Sequence, residues 1–158
     1  MLKNTIALLM LIALTACASA PDTAPSDYPF DVREYFQGRI NGYGIIERGE
    51  RVVSRFDMIV EATSDEDSVV LDESFVFDDG SEFRRVWRLQ RTAPGVYVGS
   101  ADNVDGETTI EVVQGVVRMN YVAAFPNGDD MIRLRFNQRL IPMAGDTVLN
   151  RSELSKFG

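Results

Sequence analysis

The chain has no histidine and only one cysteine among its 158 residues. Each absence removes a class of chemistry. Without imidazole there is no histidine-based triad and no ordinary zinc site, and most hydrolytic mechanisms lose their general base. A single thiol forms no disulfide within the chain, so the fold rests on a core, which a domain of this size can bury unaided. Long apolar runs are missing too. The longest, Ile6 to Leu14, stops at polar Thr15, well short of the roughly 20 residues that a spanning helix needs. Positive charge is in deficit, with 16 Lys and Arg against 24 Asp and Glu and a formal net charge of −8. A surface of that sign repels nucleic acid and anionic head groups, so nucleic acid is not an expected partner.

What is present begins with a targeting segment. Lys3, the apolar run and the small residues Thr15 and Ala16 have the layout of a secretory signal peptide over residues 1–16. The sequence Leu14-Thr15-Ala16-Cys17 resembles the lipobox of bacterial lipoproteins. That resemblance implies that Cys17 becomes the first mature residue and carries a thioether-linked diacylglycerol, with a third chain on its amine. One acyl chain holds a protein at a bilayer only marginally, whereas two or three hold it stably. The expected partner is therefore a membrane, reached through lipid. Ala18 follows the cysteine, where an aspartate is the lipoprotein family's inner-membrane retention signal. The expected location is the inner leaflet of the outer membrane, facing the periplasm.

Loss of the signal removes Lys3 and leaves the mature chain one unit more acidic. Residues 17–30 are rich in Ala, Ser, Asp and Pro and read as a lipidated flexible tether. Residues 31–158 form the folded domain.

From Phe36 onward, alternating apolar and polar runs are separated by turn signals. These are Arg48-Gly49, Asp78-Asp79-Gly80, Pro94-Gly95, Asp105-Gly106, Gln114-Gly115 and Pro126-Asn127-Gly128. They predict eight strands, near 36–47, 51–63, 68–77, 81–91, 96–103, 107–113, 116–125 and 130–141. Such an antiparallel meander is expected to close as an all-β, lipocalin-like barrel of about eight strands with short helical segments at its ends.

Turn chemistry fixes the predicted register. If Asp78-Asp79-Gly80 is a three-residue hairpin, Phe75 faces Phe83, Leu71 faces Trp87 and Val69 faces Leu89. A one-residue slip would set Phe75 against Arg84. A Gln114-Gly115 turn pairs Ile110 with Met119, Thr108 with Tyr121 and, on the other face, Glu111 with Arg118. A four-residue loop from Pro126 to Asp129 then sets Ala123 by Ile132, Tyr121 by Leu134 and Met119 by Phe136. Arg118, Asn120, Arg133, Arg135 and Asn137 fall on the opposite, solvated face.

The register that matches the aromatics also sets Glu73 opposite Arg85 on the apolar face. Either charge alone would cost several kcal/mol to bury, so an ion pair is expected, with the arginine fork meeting the carboxylate through two parallel hydrogen bonds. Such a pair either is structural, fixing register or sitting at the barrel's open end where water reaches it, or marks the polar end of an apolar ligand pocket. Catalysis is the least favoured reading, since a carboxylate held by arginine makes a poor base near neutral pH. A second irregularity lies in the first strand, where Gly38, Gly42 and Gly44 share a face with Phe36, Ile40 and Ile46. Glycines there allow a bend or leave room inside for a guest. Trp87 and Tyr121 would line that room or simply fill the core. The candidate ligand-binding residues are Glu73, Arg85, Trp87, Tyr121, Phe75 and Phe83.

The run Leu71-Asp72-Glu73-Ser74-Phe75-Val76-Phe77-Asp78-Asp79-Gly80, with Arg85-Val86-Trp87, resembles a family of uncharacterised bacterial lipoproteins, domain-of-unknown-function family 3833. Tyr35-Phe36-Gln37-Gly38, the segment Gly99 to Gly106, and Asn150-Arg151-Ser152 through Ser155-Lys156-Phe157-Gly158 extend the likeness over nearly the whole domain. The resemblance implies a lipocalin-like barrel and no assigned reaction. Members continue past the Lys-Phe-Gly segment with one more apolar strand. Without that strand, barrel closure is in question, and residues 148–157 would form a short helix over the open edge, capped by Asn150 or Ser152.

The expected function is that of a non-enzymatic envelope lipoprotein whose barrel holds a lipid, a fatty acid or another small apolar ligand. The alternative is a structural or interaction protein with a filled core. No cofactor or metal is expected.

Overall fold

The computed structural model describes residues 31–127 and 130–156. The predicted signal peptide, the tether and Cys17 lie outside the described residues. Among the described residues one short helix, α1 (Val32–Tyr35), precedes nine strands: β1 (Gly38–Arg48), β2 (Arg51–Ser64), β3 (Ser68–Phe77), β4 (Glu82–Ala93), β5 (Val96–Ala101), β6 (Thr108–Val113), β7 (Val116–Asn127), β8 (Asp130–Pro142) and β9 (Thr147–Lys156). They form one closed barrel in sequence order. Each strand pairs antiparallel with the next, and β9 pairs parallel with β1. The parallel seam follows from the odd number: in a meander that reverses at each turn, the first and ninth strands run the same way.

The all-β barrel is the expected one, with a ninth strand in place of a C-terminal helix. Residues 148–157 were expected to cap an open edge, but β9 closes the barrel itself. Its burial alternates strictly, with Val148, Asn150, Ser152 and Leu154 inward. A short Asn- and Ser-bearing segment resembles a helix start only while its neighbours are unknown. Paired on both sides, its backbone groups are satisfied as a strand.

The β3–β4 register is the predicted one. Phe75 pairs with Phe83, Glu73 with Arg85, Leu71 with Trp87 and Val69 with Leu89. Gly80 takes a φ of 82°, the left-handed position that the three-residue loop needs. The β6–β7 hairpin is also as expected, with Ile110 facing Met119 and Glu111 facing Arg118. Gln114 and Gly115 both have positive φ, as a two-residue type I′ turn requires.

The β7–β8 register differs from expectation by two residues. Asn127 pairs with Asp130, so the ladder runs on through Pro126 and the loop is shorter than the four residues predicted. Ala123 meets Leu134 and Tyr121 meets Phe136, while Met119 meets Gln138. An even shift preserves the inward face, so the predicted core survives the error.

One pole of the barrel is plugged by α1 and the residue that follows it, with Val32 and Phe36 buried against the core. Asp31 caps the helix, accepting from the Arg33 amide at 2.8 Å. Arg33 Nη1 donates to the Glu66 carbonyl in the β2–β3 turn at 2.7 Å, Ser64 Oγ donates to the Arg33 carbonyl at 2.9 Å, and the Tyr35 hydroxyl donates to the Thr147 carbonyl. The turns after β1, β3 and β5 lie at the opposite pole.

The glycines of β1 do not leave room for a guest. A methyl on Gly42 would run into the Met58 side chain, and one on Gly44 into the Phe56 ring and the Asn150 carbonyl oxygen. Their missing side chains are replaced by those of β2, which cross the interior at this point. Gly38 lies outside this stretch, exposed and with a φ of 69°.

Candidate functional site

The barrel interior is filled in one half and hollow in the other. Toward the α1 pole, Ile40, Val60, Val69, Leu71, Trp87 and Ile110 are buried with other apolar side chains. Toward the opposite pole lies a cavity of about 340 Å³, whose apolar wall includes Phe56, Phe75, Phe83, Phe125, Phe136 and Leu154. The rings touch one another around the wall. Phe83 lies 5.2 Å from Phe125, Phe125 5.2 Å from Phe136, and Phe56 packs edge-on to Phe75 at 5.3 Å.

Between the halves runs a belt of polar side chains, all at inward positions of their strands. Glu73 and Arg85 are 1% and 5% exposed, which makes theirs an interior ion pair and not a surface one. Arg85 Nε and Nη2 both donate to Glu73 Oε2, at 2.9 and 2.7 Å. The expected parallel fork is thus replaced by two donors converging on one oxygen. This frees Nη1 to donate to the Tyr121 hydroxyl at 2.8 Å, and Tyr121 in turn donates to Gln138 Oε1. On β9, Ser152 Oγ donates to Asn150 Oδ1 at 3.0 Å. Gln138 and Ser152 are cross-strand partners, so the belt passes from β3 and β4 through β7 and β8 to β9.

Three rings surround the guanidinium. Its carbon lies 5.1 Å from the Trp87 ring, 5.4 Å from Tyr121 and 5.6 Å from Phe75, and the faces of these rings attract a desolvated cation. Burial by itself works against the Arg85 charge, but Tyr121 and Glu73 more than offset it and hold the group above its ordinary value. Burial pushes the Tyr121 phenol up, against the pull of Arg85. Tyr121 therefore stays a neutral hydroxyl that accepts from Arg85 and donates to Gln138.

Of the six residues expected at a ligand site, Arg85, Tyr121, Phe75 and Phe83 line the cavity. Glu73 sits behind Arg85 and reaches the site through it. Trp87 does not line the cavity; it is packed in the filled half beneath Arg85 and edge-on to Tyr121 at 5.3 Å. Sequence reasoning missed Gln138, Asn150 and Ser152, all of which line the cavity. For Gln138 a signal existed. Its parity on β8 is that of Phe136 and Leu140, so continuing the alternation points it inward.

Among the described residues no three Asp, Glu or Cys side chains converge to hold a metal ion. The site instead offers an apolar wall over a hydrogen-bonding floor, the arrangement of a small-molecule pocket.

A family model described as a protein of unknown function, DUF3833, matches residues 11–158. The chain belongs to the DUF3833 family. The match takes in the whole barrel, including the closing strand β9 and every residue of the polar belt. No curated protein and no solved structure matches the chain.

Proposed function

We propose that this DUF3833 protein is a non-enzymatic lipoprotein of the cell envelope that holds a lipid or another small apolar molecule in the open half of a lipocalin-like barrel. The half-hollow interior carries the reading. A cavity of about 340 Å³ walled by phenylalanines lies within the roughly 300–1,000 Å³ range of ligand pockets. Its buried polar groups form the floor, while exposed Arg48, Asp79 and Ser81 line the mouth, so an elongated guest would enter chain-outward and meet buried hydrogen-bonding groups at its inner end.

The anchor half of the proposal rests on Leu14-Thr15-Ala16-Cys17, with Cys17 as the acylated residue and the periplasmic face of the outer membrane as the location. The polarity of the barrel fits that arrangement. The chain enters at α1, on the plugged pole, and the cavity opens at the other. A barrel tethered this way would turn its mouth away from the membrane that holds it.

Native mass spectrometry of protein that has been delipidated, refolded and incubated with envelope lipids tests the ligand. One bound lipid per chain is expected. Its absence would favour an interaction protein instead, a second reading supported by exposed apolar residues on the outer face. Leu149, Tyr43 and Val76 lie in one row across β9, β1, β2 and β3, interrupted only by Asp57.

A further inference from the structure

Two properties of the cavity floor narrow the chemistry of the guest, on the reading that the barrel holds an apolar ligand. The first is charge. Arg85 is the cation of the floor, and Glu73 already matches it at 2.7 Å with both groups buried. A carboxylate seated there would share one guanidinium with Glu73, and two like charges in a dry site are disfavoured. A neutral head group meets no such opposition.

The second property is hydrogen-bond direction. Three of the floor's acceptors are engaged: Tyr121 accepts from Arg85, Gln138 Oε1 from Tyr121, and Asn150 Oδ1 from Ser152. Its donors are not. Gln138 is 1% exposed and lines the cavity, yet its Nε2 has no partner among the described residues. A buried donor without an acceptor costs free energy that an incoming acceptor recovers. Arg85 also has N–H bonds beyond the three used by Glu73 and Tyr121.

The geometry points to a neutral acyl lipid, an ester or amide, whose carbonyl oxygen accepts from Gln138 Nε2 and Arg85 while its chain lies among Phe56, Phe75, Phe83 and Phe125. The site discriminates by charge, admitting the acyl ester and rejecting the free fatty acid anion of the same chain length.

Titration calorimetry of the delipidated protein with monolauroylglycerol and with laurate tests this. At pH 8 the glycerol ester should bind at least about tenfold more tightly, like-charge juxtaposition being the larger effect. Laurate binding should strengthen as pH falls and its carboxylate protonates, with ester binding unchanged. Gln138→Leu should weaken the ester about tenfold, the loss of one well-placed hydrogen bond. Glu73→Gln keeps shape and an acceptor for Arg85 but uncovers the cation, so laurate should become the preferred ligand. Laurate binding as tightly as the ester at pH 8, or Gln138→Leu leaving the ester unaffected, overturns the inference while leaving a lipid-binding barrel intact. Failure of both lipids to bind overturns that broader reading with it. Should Glu73→Gln not fold, the pH comparison and Gln138→Leu still decide.

Discussion

Arg85 directs two of its nitrogens to the same oxygen of Glu73 across the β3–β4 ladder and a third to Tyr121 on β7. The pair is thus more than a register pin between adjacent strands. It ties one wall of the barrel to the other and forms the floor on which the hollow half rests.

Removing one member should cost far more than removing both. Glu73→Ala leaves a buried cation with only Tyr121 as hydrogen-bond partner, and a loss of about 3–5 kcal/mol is expected. The double variant Glu73→Leu with Arg85→Met replaces the pair by apolar volume and should lie within about 1 kcal/mol of the parent, as buried pairs often do on such replacement. Urea melts of the three proteins make the comparison. Equal midpoints for single and double variants would show that the charge pair contributes nothing to the interior.

Tyr121 gives the barrel an alkaline limit. Its phenol is pushed above the ordinary value of 10.0 by burial, so the folded state holds this proton more tightly than the unfolded chain. The associated stability is complete below pH 10 and is lost as pH rises from there through the folded value. Thermal melts between pH 9 and 11 should fall more steeply for the parent than for Tyr121→Phe. At neutral pH that variant should lose about 1–3 kcal/mol, because Gln138 Oε1 and Arg85 Nη1 are left without their partner.

Gly44→Ala should destabilise by about 1–3 kcal/mol, the range for overpacking a full interior. The added methyl meets the Phe56 ring and the Asn150 carbonyl. Combining it with Phe56→Leu should recover part of the loss, because the ring yields and the carbonyl does not. A neutral Gly44→Ala in denaturant melts would mean that β1 stands further from β2 and β9 than the barrel requires.

Strand β9 closes the barrel, and one backbone change should expose its role. Arg151 lies between Ile45 of β1 and Arg139 of β8, with its side chain outward on Glu47. Arg151→Pro removes a backbone donor from a strand paired on both sides, at about 1–3 kcal/mol or more. Arg151→Ala removes only an exposed ion pair, which contributes about 0–1 kcal/mol. Circular dichroism melts distinguish the two. Equal, small losses would make β9 an ornament on an eight-stranded fold.

Much of this architecture was legible because hairpins are local. Phe75 meets Phe83 and Ile110 meets Met119 through turns whose left-handed residues, Gly80, Gln114 and Gly115, are written in the sequence. The Glu73–Arg85 facing followed from the same arithmetic. The β7–β8 register escaped by two residues because Pro126 and Asn127 read as loop, although both continue the ladder. Strand β9 escaped because half of its inward face is Asn150 and Ser152. Their polarity hides the period-two signal that an apolar strand would display, and it is explained only by the belt they join. The same holds for Gln138, whose inward parity was visible and whose partner on β7 was not.

The alternation of side chains and the turn residues, acting between neighbours in sequence, determined the strands, their faces and the opposition of one acid to one base. Closure of β9 on β1, the filling of β1's glycine gaps by Met58 and Phe56, and the division of the interior into a packed half and an open half were decided in three dimensions. These depend on side chains that meet across the barrel from distant parts of the chain. No local periodicity records how their volumes add.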